Sequence, residues 1–334
     1  MPLPFQTIQP MRPYWPLVLL VLSALAPLRA VQDADGTFTN DTDPTSLLVP
    51  NWNSGWGTSD ASVTGWNYVG LIQVPDGYLS GVYLGNGWVL TAAHGGTDLT
   101  SYTLNGQTFA PVAGSYHTLS TLNDGSGGQA DLAMFQIPIT PTLNLPTLSL
   151  AASPPAGYDS VSGNPGSATV MVGYGFGLNY GTGILSYPSE SWGTGTVFQS
   201  DVLFTVQGDG NPAPTFNSVD YYIYNANSGQ PDSSTNLYNL YPGDSGGANF
   251  IFNSQTQTWQ LAGINEFVAT ATLDDGSTVN FASGFVETDY YLTQIDAIMD
   301  APEPSTYALF AAGLVGLALY RRARANSASA ASRS

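Results

Sequence analysis

The strongest constraint on this sequence is that its central part contains acidic residues but no basic ones. All 24 Asp and Glu residues lie between Asp33 and Glu303, whereas the six Lys and Arg residues are all arginines before Val31 or after Tyr320. The acids cannot form salt bridges with Lys or Arg, so they must be solvated, hydrogen-bonded or bound to metal. The same charge repels phosphate groups, which argues against a nucleic-acid partner.

The composition predicts an all-β protein. The chain of 334 residues contains 37 Gly and 23 Pro, and 12% of its residues are aromatic. Many short runs rich in Val, Thr, Tyr and Phe are separated by Gly, Asn and Asp, which is typical of short strands joined by turns. Cysteine is absent, so no disulfide bond holds this fold together.

One glycine-rich segment is costly as plain structure. Residues Tyr241–Ala248 read Tyr-Pro-Gly-Asp-Ser-Gly-Gly-Ala, and glycine is the residue that most readily adopts positive φ. Such a backbone could turn the amides of Gly243 and Ser245 toward one point, where the negative oxygen of a reaction intermediate would lie. The alternative is a glycine-rich turn that carries a surface serine.

A reactive serine needs a base, and the base needs an acid that orients it. The chain has two histidines. His94 follows an apolar run that ends in Thr-Ala-Ala, whereas His117 lies in a polar segment and is assigned to the surface. Asp131 opens the buried-strand pattern Asp-Leu-Ala-Met-Phe-Gln-Ile and is the candidate acid.

Together these segments resemble the trypsin/chymotrypsin-type serine proteases. Thr-Ala-Ala-His, Asp-Leu-Ala-Met-Phe-Gln-Ile and Gly-Asp-Ser-Gly-Gly occur in the order of that family, His then Asp then Ser. The resemblance implies that Ser245 attacks a peptide carbonyl, that His94 takes its proton, and that Asp131 orients His94. It also implies that the backbone amides of Gly243 and Ser245 form an oxyanion hole.

The resemblance implies a fold of two antiparallel six-stranded β-barrels followed by a short C-terminal helix. It covers roughly residues 65–299, within a protease domain of residues 61–299. The first barrel is expected over about residues 65–146 and the second over about residues 167–288. The spacing of apolar residues predicts the helix over Asp289–Met299.

The specificity pocket is less well defined. The resemblance places its floor at Asn239, which is not the acid of Lys/Arg-directed enzymes. Glu266 and Phe267 are expected on its wall, where the family usually has a small residue and an aromatic one. Glu266 would either favour a basic substrate residue or serve as a hydrogen-bonding group behind the catalytic residues, and both alternatives stay open.

The N-terminal end of the chain predicts export. Residues 1–30 are typical of a secretory signal peptide, in which Arg12 precedes the apolar run Leu17–Ala26. The acidic residues 31–60 are expected to form an N-terminal arm or a pro-segment.

The C-terminal end resembles a PEP-CTERM sorting tail. Residues 300–334 contain Pro-Glu-Pro, an apolar run and a cluster of arginines, in that order. The apolar run has about fourteen residues, fewer than the roughly twenty that span a bilayer. The resemblance implies an exosortase-type sorting machinery as partner, contact with the membrane through the tail before processing, and a final place in the envelope or outside a Gram-negative cell.

The expected function is that of an exported serine endopeptidase that hydrolyses protein or peptide substrates through an acyl-enzyme. Two alternatives are a catalytically silent homologue that serves as a surface binding or adhesion module, and a plain β-sandwich protein of the envelope. No cofactor and no metal ligand set are expected. No EF-hand-like spacing is present, although the uncompensated acids leave a structural calcium ion open.

Overall fold

The computed structural model describes most of the central part of the chain. The described residues are 32–33, 42–75, 77–122, 125, 127–140, 143–179, 184–207, 214–224, 238–240, 243–272, 278–301, 314–315, 317 and 320–322. The predicted signal peptide and most of the predicted sorting tail lie outside them. Two compact units are present, Met1–Gln294 and Ile295–Ser334.

The described residues form fifteen strands and one α-helix in the order of the chain. The first eight strands are β1 (Gln32–Asp33), β2 (Val69–Val74), β3 (Gly77–Gly85), β4 (Trp88–Thr91), β5 (Ser101–Leu104), β6 (Gln107–Phe109), β7 (His117–Ser120) and β8 (Gln129–Gln136). The remaining elements are β9 (Ala168–Asn179), β10 (Ile184–Gln207), β11 (Thr215–Tyr224), β12 (Tyr238–Asn239), β13 (Ala248–Asn253), β14 (Thr258–Thr272), β15 (Thr278–Glu287) and α1 (Leu292–Met299).

The first half is an antiparallel sheet of seven strands, in the order β6-β5-β2-β3-β4-β8-β7. The sequence predicts six strands there, and the strand it misses is β7. That strand reads His-Thr-Leu-Ser, and only Leu119 is buried among its four residues. Because one buried side chain gives no alternating pattern, local sequence does not reveal this strand.

The second half is a closed barrel of six strands, in the order β10-β11-β15-β14-β13-β9. This agrees with the predicted six-stranded antiparallel barrel. Its interior is filled by apolar side chains that include Met171, Tyr221, Ile223 and Phe285. Strand β10 has 24 residues and pairs with β9 along one part of its length and with β11 along another.

Residues 42–64 pack against both halves through aromatic side chains. Trp52 is fully buried, and its ring centroid lies 5.0 Å from that of Trp259 in β14. Trp56 stacks on Trp259 at 5.6 Å and on Tyr68, which precedes β2, at 6.2 Å. These contacts favour an arm that stays with the domain over a pro-segment that is removed.

Buried acids in this fold are satisfied by donors other than Lys and Arg. The indole N–H of Trp52 donates to Asp43 at 2.8 Å, and the hydroxyl of Tyr174 donates to Glu190 at 2.9 Å. Glu287 accepts a backbone N–H at 2.7 Å. Burial raises the pKa of all three carboxyl groups, and that of Glu287 rises to about 8.

The C-terminal helix α1 begins three residues later than predicted, at Leu292, and ends at Met299 as expected. The residues before it form a turn, in which the amide of Tyr291 donates to the carbonyl of Thr288 at 3.2 Å. Among the described residues, no helix has both the length and the apolar character needed to cross a membrane.

The aromatic contacts of residues 42–64 predict a large loss of stability in Trp52→Ala. Truncating a fully buried Trp leaves a cavity and should lower the free energy of unfolding by about 3–5 kcal/mol. The matched control is Leu47→Ala in the same segment, because Leu47 is 95% exposed. Denaturant unfolding measures both variants, and equal losses would show that the tryptophan cluster does not brace the fold.

The raised pKa of Glu287 predicts that the protein is more stable at mildly acidic pH. The folded state holds this proton up to a pKa of about 8, against an ordinary value of 4.5, so its stabilising effect is lost as pH rises between them. Glu287→Gln should reduce the loss between about pH 5 and pH 8 by on the order of 1–3 kcal/mol.

Unfolding curves of both proteins at several pH values test this prediction. The exposed Asp296 provides the control, since Asp296→Asn removes the same charge without removing a buried carboxyl group. An unchanged pH slope in Glu287→Gln would contradict the prediction.

Candidate active site

His94 and Asp131 are brought together by two adjacent strands. His94 lies in the short helical turn Ala93–Gly95 that follows β4, and Asp131 lies in β8, which pairs with β4. The imidazole Nδ1 is 2.6 Å from Asp131 Oδ2, and the backbone N–H of His94 donates to Asp131 Oδ1 at 2.7 Å. Both oxygens of this carboxylate therefore bind the same residue.

This geometry determines the state of the imidazole. The Asp131 side chain is fully buried, whereas that of His94 is 22% exposed. An ionised carboxylate can only accept hydrogen bonds, so Nδ1 carries the proton and Nε2 of the neutral ring is a proton acceptor. The arrangement provides a base whose protonated form a buried anion stabilises.

The loop that carries Ser245 is held between the two halves of the fold. On one side, the amide of Ser80 in β3 donates to the carbonyl of Ser245 at 2.7 Å, and its hydroxyl donates to the carbonyl of Gly243 at 3.2 Å. On the other side, the amide of Gly246 donates to the carbonyl of Asn265 in β14 at 2.8 Å. The position of Ser245 thus depends on both halves.

Gly246 shows why this loop needs glycine. Its φ is +82°, and a Cβ atom there would collide with the carbonyl of Ser80 and the hydroxyl of Thr91. It would also lie 3.1 Å from the amide nitrogen of Ala92, two residues before His94. The backbone next to Ser245 therefore lies against the backbone that leads to His94.

The amides of Gly243 and Ser245 fit the predicted oxyanion hole in one respect. Gly243 has φ +97°, a conformation that favours glycine. Among the described residues, no protein acceptor is found for the N–H of either residue. Both donors are thus left to bind a substrate oxygen.

Asn265 ties the loop to the interior of the second barrel. Its side-chain amide donates to the carbonyls of Val172 and Asp244, each at 3.2 Å. The Asp244 carboxylate is buried against Gly173, where a Cβ would lie 2.5 Å from Oδ1. The sequence analysis does not single out Asn265 or Ser80. The signal that could have found Asn265 is a fully buried amide inside the apolar run Leu-Ala-Gly-Ile-Asn.

The structure places the three predicted pocket residues differently. The backbone of Asn239 in β12 pairs with Gln32 in β1, and its side chain lies outside the description. Phe267 is buried, and its ring centroid lies 5.1 Å from that of Phe204. Glu266 is only 5% exposed and accepts a long hydrogen bond of 3.5 Å from Ser218.

The surroundings of Glu266 favour the second alternative of the sequence analysis, a hydrogen-bonding group behind the catalytic residues. The same Ser218 hydroxyl accepts the backbone N–H of Asp131 at 2.8 Å. Glu266 is also hydrogen-bonded to the buried Asp220 of β11, and burial raises the pKa of both carboxyl groups well above the ordinary range. The sequence analysis does not identify Asp220 or Ser218.

No metal ligand set is found in the described part of the chain. Among those residues, no group of three or more His, Cys, Asp or Glu side chains has the arrangement of a metal site. A structural calcium ion therefore has no such group of ligands there. The exposed His117 lies beside Trp88, with ring centroids 5.9 Å apart, as expected for a surface residue.

Several solved structures are similar to this chain at low sequence identity. The active form of the Rv3671c protease from M. tuberculosis is 17% identical, with a TM-score of 0.43, and 85% of this chain and 96% of that chain are covered. Neuropsin, a serine protease of mouse brain, is 13% identical with a TM-score of 0.46 and coverages of 70% and 95%. Human heparin binding protein is 15% identical with a TM-score of 0.44 and coverages of 72% and 94%. No property of these proteins is transferred to this chain.

The C-terminal tail matches a known motif. Residues 300–324 match the PEP-CTERM protein-sorting motif, which implies sorting of the exosortase type. No curated protein sequence matches the chain. Residues 300–324 are a sorting signal that directs export to the cell envelope of a Gram-negative bacterium.

Proposed function

We propose that this protein is an exported serine endopeptidase of the trypsin-like type. The observation that carries the proposal is the coupling of His94 to the buried Asp131 through two short hydrogen bonds, at 2.6 and 2.7 Å. This pair lies beside the glycine-rich loop of Ser245, whose backbone contacts the segment before His94. The sequence places a hydroxyl, a base and an acid at these positions, as peptide-bond hydrolysis requires.

In the proposed mechanism Ser245 is the nucleophile. Its Oγ attacks the carbonyl carbon of a peptide bond while Nε2 of His94 takes the hydroxyl proton. The carbonyl oxygen becomes an oxyanion, and the N–H groups of Gly243 and Ser245 donate hydrogen bonds to it. Losing one such donor costs on the order of 3 kcal/mol in comparable sites.

The covalent intermediate then breaks down in two steps. The C–N bond breaks, and the leaving amine takes the proton from His94, which leaves an acyl group on Ser245. A water molecule gives a proton to His94 and attacks the acyl carbon. Release of the carboxylic acid returns the proton to Ser245. Throughout the cycle Asp131 stays ionised and stabilises the imidazolium.

The charge of the body bears on substrates and on survival outside the cell. The acidic surface would raise the local concentration of cationic substrates. Between Val31 and Tyr320 no peptide bond follows Lys or Arg, so proteases that cleave there leave the body intact. The sorting tail would contact the membrane before it is processed by exosortase-type machinery.

Reaction with an organophosphonate serine probe tests the proposal. Labelling is expected at Ser245 and should vanish in Ser245→Ala. His94→Ala should label at least about a hundredfold more slowly, because the general base is lost. Mass spectrometry of the intact protein and of its peptides measures the extent and the position of the label.

The chain offers a matched control in its second histidine. His117→Ala alters an exposed imidazole and should label at the rate of the unmodified protein. If the folded and fully processed protein is not labelled, the proposal fails and a catalytically silent binding module becomes the better account.

A further inference from the structure

Three buried carboxyl groups converge behind His94 from three different strands. Asp131 comes from β8, Asp220 from β11 and Glu266 from β14, and the first two are fully buried. The charges of Asp131 and Asp220 act on Glu266, as does that of His94. Because the body has no Lys or Arg, His94 is the group there that can carry a compensating positive charge.

A β-bulge directs Glu266 into this cluster. In the pairing of β14 with β15, Asn265 lies opposite Phe285 and Phe267 lies opposite Gly284, so Glu266 is an extra residue without an opposite partner. A bulge of this kind changes the direction in which a side chain points. Glu266 is consequently buried beside Asp220.

Hydrogen-bond accounting shows that the pair of Glu266 and Asp220 needs a proton. If both groups were ionised, Oδ1 and Oδ2 of Asp220 and Oε2 of Glu266 would have no donor among the described residues. The two side chains are nevertheless hydrogen-bonded to each other. Two carboxylates cannot form that bond, whereas a carboxylic acid and a carboxylate can.

We propose that Glu266 and Asp220 share one proton and form a positioning pair, with a net charge of −1, for the His94–Asp131 couple. The link between them is Ser218, which accepts the backbone N–H of Asp131 at 2.8 Å and donates to Glu266 at 3.5 Å. The pair's negative charge favours the imidazolium form of His94, which is the form that arises in the reaction. The functional meaning of the pair rests on the proposed protease activity.

Other titratable groups face the pair and must be included. Glu287 of β15 acts on Asp220, and Tyr291 lies near both carboxyl groups. Burial raises the pKa of Glu287 to about 8 and that of Tyr291 well above its usual range, so both are mostly neutral at neutral pH. Asp131 and His94 complete the set.

An NMR titration of the two histidines tests the shared proton. In Glu266→Gln the amide donates to a carboxylate of Asp220, and in Asp220→Asn the roles are reversed, so each single variant keeps one negative charge. The His94 midpoint should stay within about 0.2 pH unit in both. In Glu266→Gln/Asp220→Asn that charge is gone, and the midpoint should fall by about half a pH unit or more.

The outcomes separate the possible charge states. A pair that holds two protons is neutral, and the double variant would then leave the His94 midpoint unchanged. A pair that holds none has two charges, and each single variant would shift the midpoint. Either result overturns the proposal. The exposed His117 serves as internal reference, and Asp296→Asn controls for the loss of one remote charge.

A second measurement needs no variant. Neutron diffraction from crystals of the unmodified protein at neutral pH should show one deuterium between Glu266 and Asp220, and two or none would contradict the proposal. Neither measurement depends on hydrolysis. An unlabelled Ser245 with the expected titrations would overturn the protease function alone, whereas normal labelling with an unshifted double variant would overturn the pair alone.

If the protease function holds, kinetics provide a further readout. The acid limb of the pH profile of kcat/KM should move to lower pH in the double variant, by the same half unit or so as the NMR midpoint. The value of kcat should fall while KM stays nearly constant, because the pair does not touch the substrate. A change confined to KM would contradict a positioning role.

Discussion

The two hydrogen bonds from His94 to Asp131 are the interaction on which the rest of the site depends. They join the turn after β4 to β8 and bind both oxygens of a fully buried carboxylate. In a body without Lys or Arg, the imidazole is also the partner that compensates this buried charge. The same contact therefore stabilises the fold locally and prepares a base for chemistry.

The absence of basic residues and cysteine explains several other features of the structure. Acids such as Asp43 and Glu190 accept hydrogen bonds from Trp and Tyr side chains, and Glu266 and Asp220 are best explained by a retained proton. Aromatic packing holds residues 42–64 against the barrels where other exported proteins use disulfide bonds. Such a protein binds protons more tightly when folded, so mildly acidic conditions suit it.

Local sequence predicts the elements that carry the chemistry but not the contacts between distant strands. The Thr-Ala-Ala-His and Asp-Leu-Ala-Met segments lie on paired strands because each has a strong apolar pattern, and the second barrel follows the same logic. Asp220 appears in the sequence as an ordinary strand residue, since its neighbours come from β14 and β15. The bulge at Glu266 is invisible without the register of β15, and that register decides whether the side chain lines a pocket or the interior.

The most direct test of the account is hydrolysis of peptide bonds in ¹⁸O-labelled water. The mature exported protein is incubated with a mixture of unrelated polypeptides, and new peptide ends are identified by mass spectrometry. The account predicts new ends that carry ¹⁸O at their carboxyl termini, because water resolves the acyl-enzyme, and no new ends with Ser245→Ala. The same set of ends from both proteins, or none from the folded and processed protein, would contradict it.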